Sequence, residues 1–367
     1  MRTPITRHPN QRNEQSGHRS TNEYGKTESL SVDDLSAQFR DPPWEYGPID
    51  CWWWEAGRLD RERMRWQLEE MKAKGIAGTW LYPRFVYGQP LGPTPQYWTD
   101  EWWDITRFSA EEHQRLGMQM WFNDWTAHQF FQNKLREECE ENPALSGHCL
   151  AIHEVESKAP GLVEISVPDG EETLYAAAYK KMGDGLDLAS AEILNDAAVD
   201  GKLTWRAEEA GWVVALITCA PYDLDYLNRA VADRWIEILL KVYEEHLCKF
   251  VGSTLRAYGT DELFILNGHA LYSPALVERF KAEKGYDPSS YLVGLFHDIG
   301  TPTDKIRCGY YDVMTALLEE NLYRPFRQWL DQRDMLFVDF CPNGKNGDLL
   351  AQTYHSVSYT HLRAHET

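Results

Sequence analysis

PIDCWWWEAGRLDRERMRWQLEEMKAKGIAGTWLYPRF, residues Pro48 to Phe85, contains the unit from which the rest of the chain can be read. Pro48–Glu55 is rich in aromatic side chains and has no helical spacing, which predicts a strand. Leu59, Met64, Leu68 and Met71 then recur at helical intervals and predict a helix over Leu59–Lys74. Gly75 closes it, because glycine takes the left-handed cap conformation without a steric penalty. Ala77–Phe85 predicts a second strand. Two strands separated by a helix of this length pair in parallel through a right-handed crossover.

The same rhythm extends outward. Residues 88–98, GQPLGPTPQYW, are dense in glycine and proline and form an irregular loop. Glu101–Leu116 predicts a second helix closed by Gly117, and Met118–Trp125 a third strand. From Leu150 to Cys219 the rhythm breaks into short runs, LVEISV, LTWRA and WVVALIT, divided by turn residues. These predict an inserted antiparallel β module. A long helix from Leu224 to about Phe250 and a strand at Ser253–Leu263 resume the pattern. Helices at Pro274–Lys284 and Asp304–Arg333 and a strand at Met335–Asn343 complete it.

The expected class is α/β: a partial TIM-type (β/α) barrel with five strands present, where a closed barrel needs eight. An open doubly wound sheet is the structural alternative, but neither GxGxxG nor GxxxxGK[ST] follows any strand. The expected organisation is an N-terminal tail or linker over 1–40 and the first part of the barrel over 41–149. The β module follows over 150–220, and the barrel continues over 221–356. Residues 357–367, VSYTHLRAHET, match the translation of a sequencing adapter and are set aside from fold reasoning. The sequence is therefore expected to be a fragment of a longer protein and inactive alone.

Composition narrows the partners. With a formal net charge of −20, the chain repels phosphate backbones and anionic lipid surfaces, which excludes nucleic acid and membranes as expected partners. No apolar run reaches the length of a membrane span, and the N-terminus has no apolar signal region. The 7 cysteines are scattered and form no CxxC pair, which argues against a disulfide framework and fits a cytoplasmic setting. The 15 Trp and 19 Tyr serve equally to fill a core or to line a sugar cleft, where a flat ring covers the C–H face of a pyranose.

In a βα barrel the active face lies at the C-terminal ends of the strands. Reading those positions gives Trp54 and Glu55, then Arg84, then Asn123, Asp124 and Trp125, then Asp261 and Glu262, and finally Asp339. Four of five strand ends thus carry a carboxylate, among Trp, Asn and Arg. Glycoside cleavage requires such a pair: one carboxyl protonates the leaving oxygen while the other activates water or attacks the anomeric carbon. Asp261 and Glu262 are the expected catalytic positions, since adjacent acids repel and favour holding one protonated. The others are expected to bind substrate, a carbohydrate. Two further readings share these residues: a barrel that binds sugar without cleaving it, and a lyase or transglycosylase on the same scaffold.

At these positions the chain resembles glycoside hydrolase family 106, the α-L-rhamnosidase family. The resemblance is carried by residues 42–84, by YWTDEWWDITRFSAEEHQRLGMQMWFNDW from Tyr97, and by DYLNRAVADRWIEILLKVYEEHL from Asp225. GTDEL from Gly259, KAEKGYDPSSYLVGLF from Lys281 and YRPFRQWLDQ from Tyr323 extend it. LTWRAEEAGWVVALIT falls where the family carries a β insertion. The resemblance implies a calcium-assisted inverting glycosidase acting on terminal α-L-rhamnose. It also implies Glu262 as a catalytic carboxylate beside Asp261, with Asp225, Asn228 and Asp124 as cleft or structural positions. The chain departs from the family at WTAHQF after the third strand, at Leu263 where proline is common, and at VDFCPN on the fifth strand. These departures touch the substrate contacts, and no calcium ligand maps onto a residue of the chain.

Overall fold

The computed structural model describes residues 31–54, 57–83, 93–123, 135–199, 201–261 and 270–340. In chain order the main elements are helix α1 (Val32–Arg40), strand β1 (Ile49–Trp54), α2 (Arg61–Ala73), β2 (Gly78–Pro83), α3 (Asp100–Leu116) and β3 (Gln119–Asn123). Then come β4 (Ser146–Ser157), β5 (Gly161–Ser166), β6 (Glu172–Met182), β7 (Gly185–Ile193), β8 (Lys202–Ala207) and β9 (Trp212–Leu224). The helix α4 (229–247), β10 (Leu255–Asp261), α5 (Pro274–Lys284), α6 (302–331) and β11 (Leu336–Phe340) complete the chain. Helix α1 falls inside the segment expected to be an N-terminal linker. Its surface is largely exposed.

Local chemistry accounts for the helix boundaries. The Asp60 carboxylate accepts the Arg63 N–H at 2.9 Å, and Thr99 Oγ1 accepts the Trp102 N–H at 3.3 Å, so each helix starts on a side chain that satisfies an orphan donor. Gly117 ends α3 in the left-handed conformation (φ 63°). Both long crossover helices contain a π turn, Ile236–Leu240 in α4 and Glu319–Tyr323 in α6, and continue beyond it.

Strands β1, β2, β3, β10 and β11 form one parallel sheet in that order. Every crossover helix with a described contact packs on the same face. Trp52 Nε1 donates to Gln67 of α2, and Thr79 hydrogen-bonds His113 of α3 at 2.8 Å. Phe122 stacks on Tyr243 of α4 at 4.1 Å, and Phe337 meets Phe326 of α6 at 5.9 Å. Consecutive order with helices on a single face is not the doubly wound arrangement, in which the order reverses and helices cover both faces. The protein is a mixed α/β structure combining this parallel sheet with antiparallel sheets.

The antiparallel strands run from Ser146 to Leu224, the region where alternating runs predicted a β module over 150–220. One sheet has the order β4, β9, β6, β7, with the short strand Leu271–Tyr272 beside β4. In the other, β8 lies in the middle, paired with β5 on one side and with the short strand Ala198–Val199 on the other. Val163, Ile165 and Leu203 of the smaller sheet pack against Ala176, Ala178, Val214 and Leu216 of the larger. The opposite face of the larger sheet, with Tyr175, Tyr179, Val213 and Ile217, joins the main core. Burial on both sides explains why WVVALI, residues 212–217, is apolar throughout.

Candidate functional site

The C-terminal ends of the five parallel strands form the edge at which the sequence placed its chemistry. Of the expected residues, Glu55, Arg84, Asp124, Trp125 and Glu262 lie outside the described residues. Asp261 is the last residue of β10 and pairs with Phe340, and Asp339 pairs with Thr260. Asp261 is thus in phase with Gly259, whereas Asp339 is in phase with Phe337. Asn123 pairs with Gly259 and is 1% exposed at the end of β3.

Trp54, expected to face a sugar, is instead 2% exposed. Its ring stands edge-on to Trp52 at 5.5 Å and to Trp102 of α3 at 6.4 Å, inside the helix-covered core. The reason is alternation: residues 52 and 54 face the helices, so Cys51 and Trp53 face the other way. Trp53, which sequence reading passed over, is 45% exposed. Its ring lies against Tyr82 at 4.6 Å. Tyr82 continues to Trp80 at 5.1 Å, and Trp80 to Trp121 at 6.2 Å, so an aromatic row crosses three strands on the face without helices. Gly259 makes room for it, because a Cβ there would lie 2.2 Å from Cζ2 of Trp80.

The entrance to α4 adds a second group of polar residues. Asn228 caps the helix by accepting the Ala230 N–H at 3.0 Å. Asp225, just before it, accepts the Leu227 N–H at 3.1 Å, and burial nevertheless raises its pKa from 3.8 to about 6. Arg136 grips Asp223 through both carboxylate oxygens at 2.7 and 2.9 Å, tying the segment after the third strand to the end of β9. Asn321, in the π turn of α6, donates to the Leu227 carbonyl at 2.7 Å. The α4 entrance is thereby fixed to both the β module and the last crossover helix.

Two other titratable groups serve the fold. His113 is fully buried; its Nδ1–H donates to the Ser109 carbonyl at 2.7 Å, which leaves Nε2 to accept from Thr79. Burial lowers its pKa from 6.5 to about 4, so it stays neutral. In the β module His153 meets Glu171 at 2.7 Å. Burial opposes ionisation of Glu171, but hydrogen bonds from Thr218 and His153 outweigh it and hold the pKa below the usual value. Among the described residues no three His, Cys, Asp or Glu side chains converge in a way that could hold a metal ion. No calcium ligand is assigned.

No protein-family model matches the chain. A curated protein of Formosa agariphila named "Putative beta-glucuronidase" is 21% identical over 406 residues, taking in 93% of this chain and 34% of that protein. The structure of a rhamnosidase from Novosphingobium sp. PP1Y superposes with a TM-score of 0.51 at 16% identity, covering 83% of this chain and 47% of that one. By sequence and by fold the chain is similar to glycoside hydrolases. It spans about a third of the curated relative and about half of the rhamnosidase chain. No helix among the described residues is long and apolar enough to cross a membrane.

Proposed function

We propose that the chain is the core of a glycosidase, with the five parallel strands forming part of a (β/α) barrel and the active face at their C-terminal ends. The observation that carries this reading is the consecutive parallel order with helices on a single face. That arrangement leaves the strand ends together on one rim, as a barrel site requires. The likeness to glycoside hydrolases supports the same reading. Because the relatives are much longer, the activity is assigned to the complete protein, and the 367-residue chain alone is expected to be inactive.

In this proposal the reaction is O-glycoside hydrolysis that releases a terminal sugar, rhamnose or a close analogue. Glu262, beside Asp261, donates a proton to the glycosidic oxygen as the bond to the anomeric carbon breaks. A second carboxylate takes the proton from the attacking water, giving the inverting outcome. Asn123, Asp124, Trp125, Arg84 and Glu55 surround the sugar, and Trp54 supports the rim from the core; Asp339, in phase with Phe337, is left out of the sugar site.

A second substrate reading follows from the name of the Formosa protein: a terminal glucuronide, whose carboxylate would call for a cation such as Arg84. Incubating the complete protein with aryl α-L-rhamnoside and aryl β-D-glucuronide, and following the released anomer by proton NMR, separates the two. Turnover of the rhamnoside supports the first reading and turnover of the glucuronide the second. Binding of either sugar without release would favour a non-catalytic barrel, and an unsaturated product would favour a lyase.

A further inference from the structure

The two long crossover helices enclose a cavity that the strand-end chemistry does not use. Trp235 of α4 and Phe326 of α6 face the parallel sheet and meet Tyr258 of β10, the first through a 3.1 Å hydrogen bond and the second edge-on at 6.0 Å. On the opposite, solvent side the same helices leave a groove of about 340 Å³, lined by no strand-end residue. That volume lies in the range of small-molecule sites. Its floor is apolar, made of buried Ile236, buried Pro325 and the part-buried ring of Trp329. Each helix carries a π turn here: the Lys241 N–H donates to the Ile236 carbonyl five residues back, and the Arg324 N–H to that of Glu319. Such turns recur at functional sites.

The lining selects the ligand. On the α4 wall Arg229 pairs with Asp233 at 2.7 Å and Lys241 with Glu237 at 2.5 Å. Two cations are thus matched by two anions, and the groove offers no net charge to a phosphate, a uronate or an ammonium group. The α6 wall adds the exposed amides of Gln328 and Gln332, which both donate and accept hydrogen bonds. Trp329 is set in place in advance. The Arg333 guanidinium lies 3.7 Å from its ring centre, and Glu244 holds that guanidinium through both carboxylate oxygens at 2.7 and 2.9 Å. An apolar floor between neutral hydrogen-bonding walls fits a ligand with C–H faces and hydroxyl edges. An extended peptide would instead need a row of backbone partners, which two helices with their own hydrogen bonds closed do not supply.

Resting on the glycosidase reading for the choice of a sugar, we infer that the α4–α6 groove is a second saccharide-binding site. It holds a neutral polysaccharide chain on the outer wall while the terminal sugar is cleaved at the strand ends.

The test follows two substrates in the complete protein: an aryl glycoside, which fills the strand-end site alone, and a neutral polymer ending in the same sugar. Gln328→Ala/Gln332→Ala and Trp329→Ala are each expected to raise KM for the polymer at least about fivefold, with kcat and both constants for the aryl glycoside unchanged. The two glutamines are exposed, so their double variant should keep the wild-type thermal midpoint and reads the groove even where Trp329→Ala loses stability. An unchanged polymer KM in the double variant, with the aryl glycoside still turned over, would overturn the inference and leave the glycosidase reading standing. Equal losses on both substrates would also overturn it, since the helices would then only support the fold. If no glycoside is turned over, titration calorimetry with rhamnan and xylan oligosaccharides decides. Salt-insensitive binding that the double variant loses supports the inference, whereas no binding to wild type, or binding that the variant retains, overturns it.

Discussion

His113 and Asp225 are predicted to carry opposing pH-linked stabilities that largely hide each other in mildly acidic solution. Burial lowers the His113 pKa to about 4, against 6.5 in the unfolded chain. Between those values the unfolded state binds the proton and the folded state does not, so stability falls as the pH drops from 6.5 to 4. At 1.36 kcal/mol per pKa unit the loss is about 3 kcal/mol. Asp225 runs the other way. Its pKa is raised from 3.8 to about 6, so the folded state holds the proton more tightly. Its contribution is full below 3.8 and is lost as the pH rises through 6. For this half-buried group the magnitude is about 2 kcal/mol. Asp225→Asn keeps an acceptor for the Leu227 N–H but cannot titrate, which leaves the His113 effect uncompensated. Urea unfolding followed by far-UV circular dichroism at pH 4, 5, 6 and 7 should show the variant losing about 2 kcal/mol relative to wild type between pH 7 and 4. The variant His113→Gln should drift in the opposite direction. A difference from wild type that stays flat across this range for Asp225→Asn would refute the buried-carboxyl assignment.

Other perturbations follow from single contacts. Gly259→Ala drives a methyl group into the Trp80 indole and should cost about 1–3 kcal/mol, and Trp80→Phe in the same chain should return part of it; additive losses in a double-mutant cycle would show that the ring does not cross Gly259. Asn228→Ala removes the cap of α4 and should lower stability by about 1 kcal/mol in urea unfolding, whereas Asn228→Asp should be close to neutral. Arg136→Met should cost about 1 kcal/mol, with the difference from wild type shrinking in 0.5–1 M salt; a salt-independent loss would point to packing by the aliphatic stem.

Much of the fold was readable because its units are local. Gly75 and Gly117 mark the ends of α2 and α3, and the spacing of Leu59, Met64, Leu68 and Met71 marks a helical face. The π turns at Ile236–Leu240 and Glu319–Tyr323 were not readable, because a single extra residue in a helical turn leaves no pattern that a periodicity detects. Cys51-Trp52-Trp53-Trp54 offered no alternation between apolar and polar residues, so its two faces could be assigned only once α2 and α3 were seen to cover one of them. Placing Trp54 at the rim followed from that ambiguity. Asp225 and His113 owe their shifted pKa values to burial by residues distant in sequence, which no local motif announces. The acid pair stood out because it stands at the end of a strand-like run, but the geometry of Glu262 lies outside the described residues.

The most direct test of the account is the rate of aryl glycoside hydrolysis by the complete protein carrying Glu262→Gln, measured beside wild type with the thermal midpoint of each. A proton-donating carboxylate predicts a fall in kcat of at least about a hundredfold with an unchanged midpoint. Retained turnover in a fully folded variant would contradict the assignment of Glu262 and, with it, the placing of the active face at the strand ends.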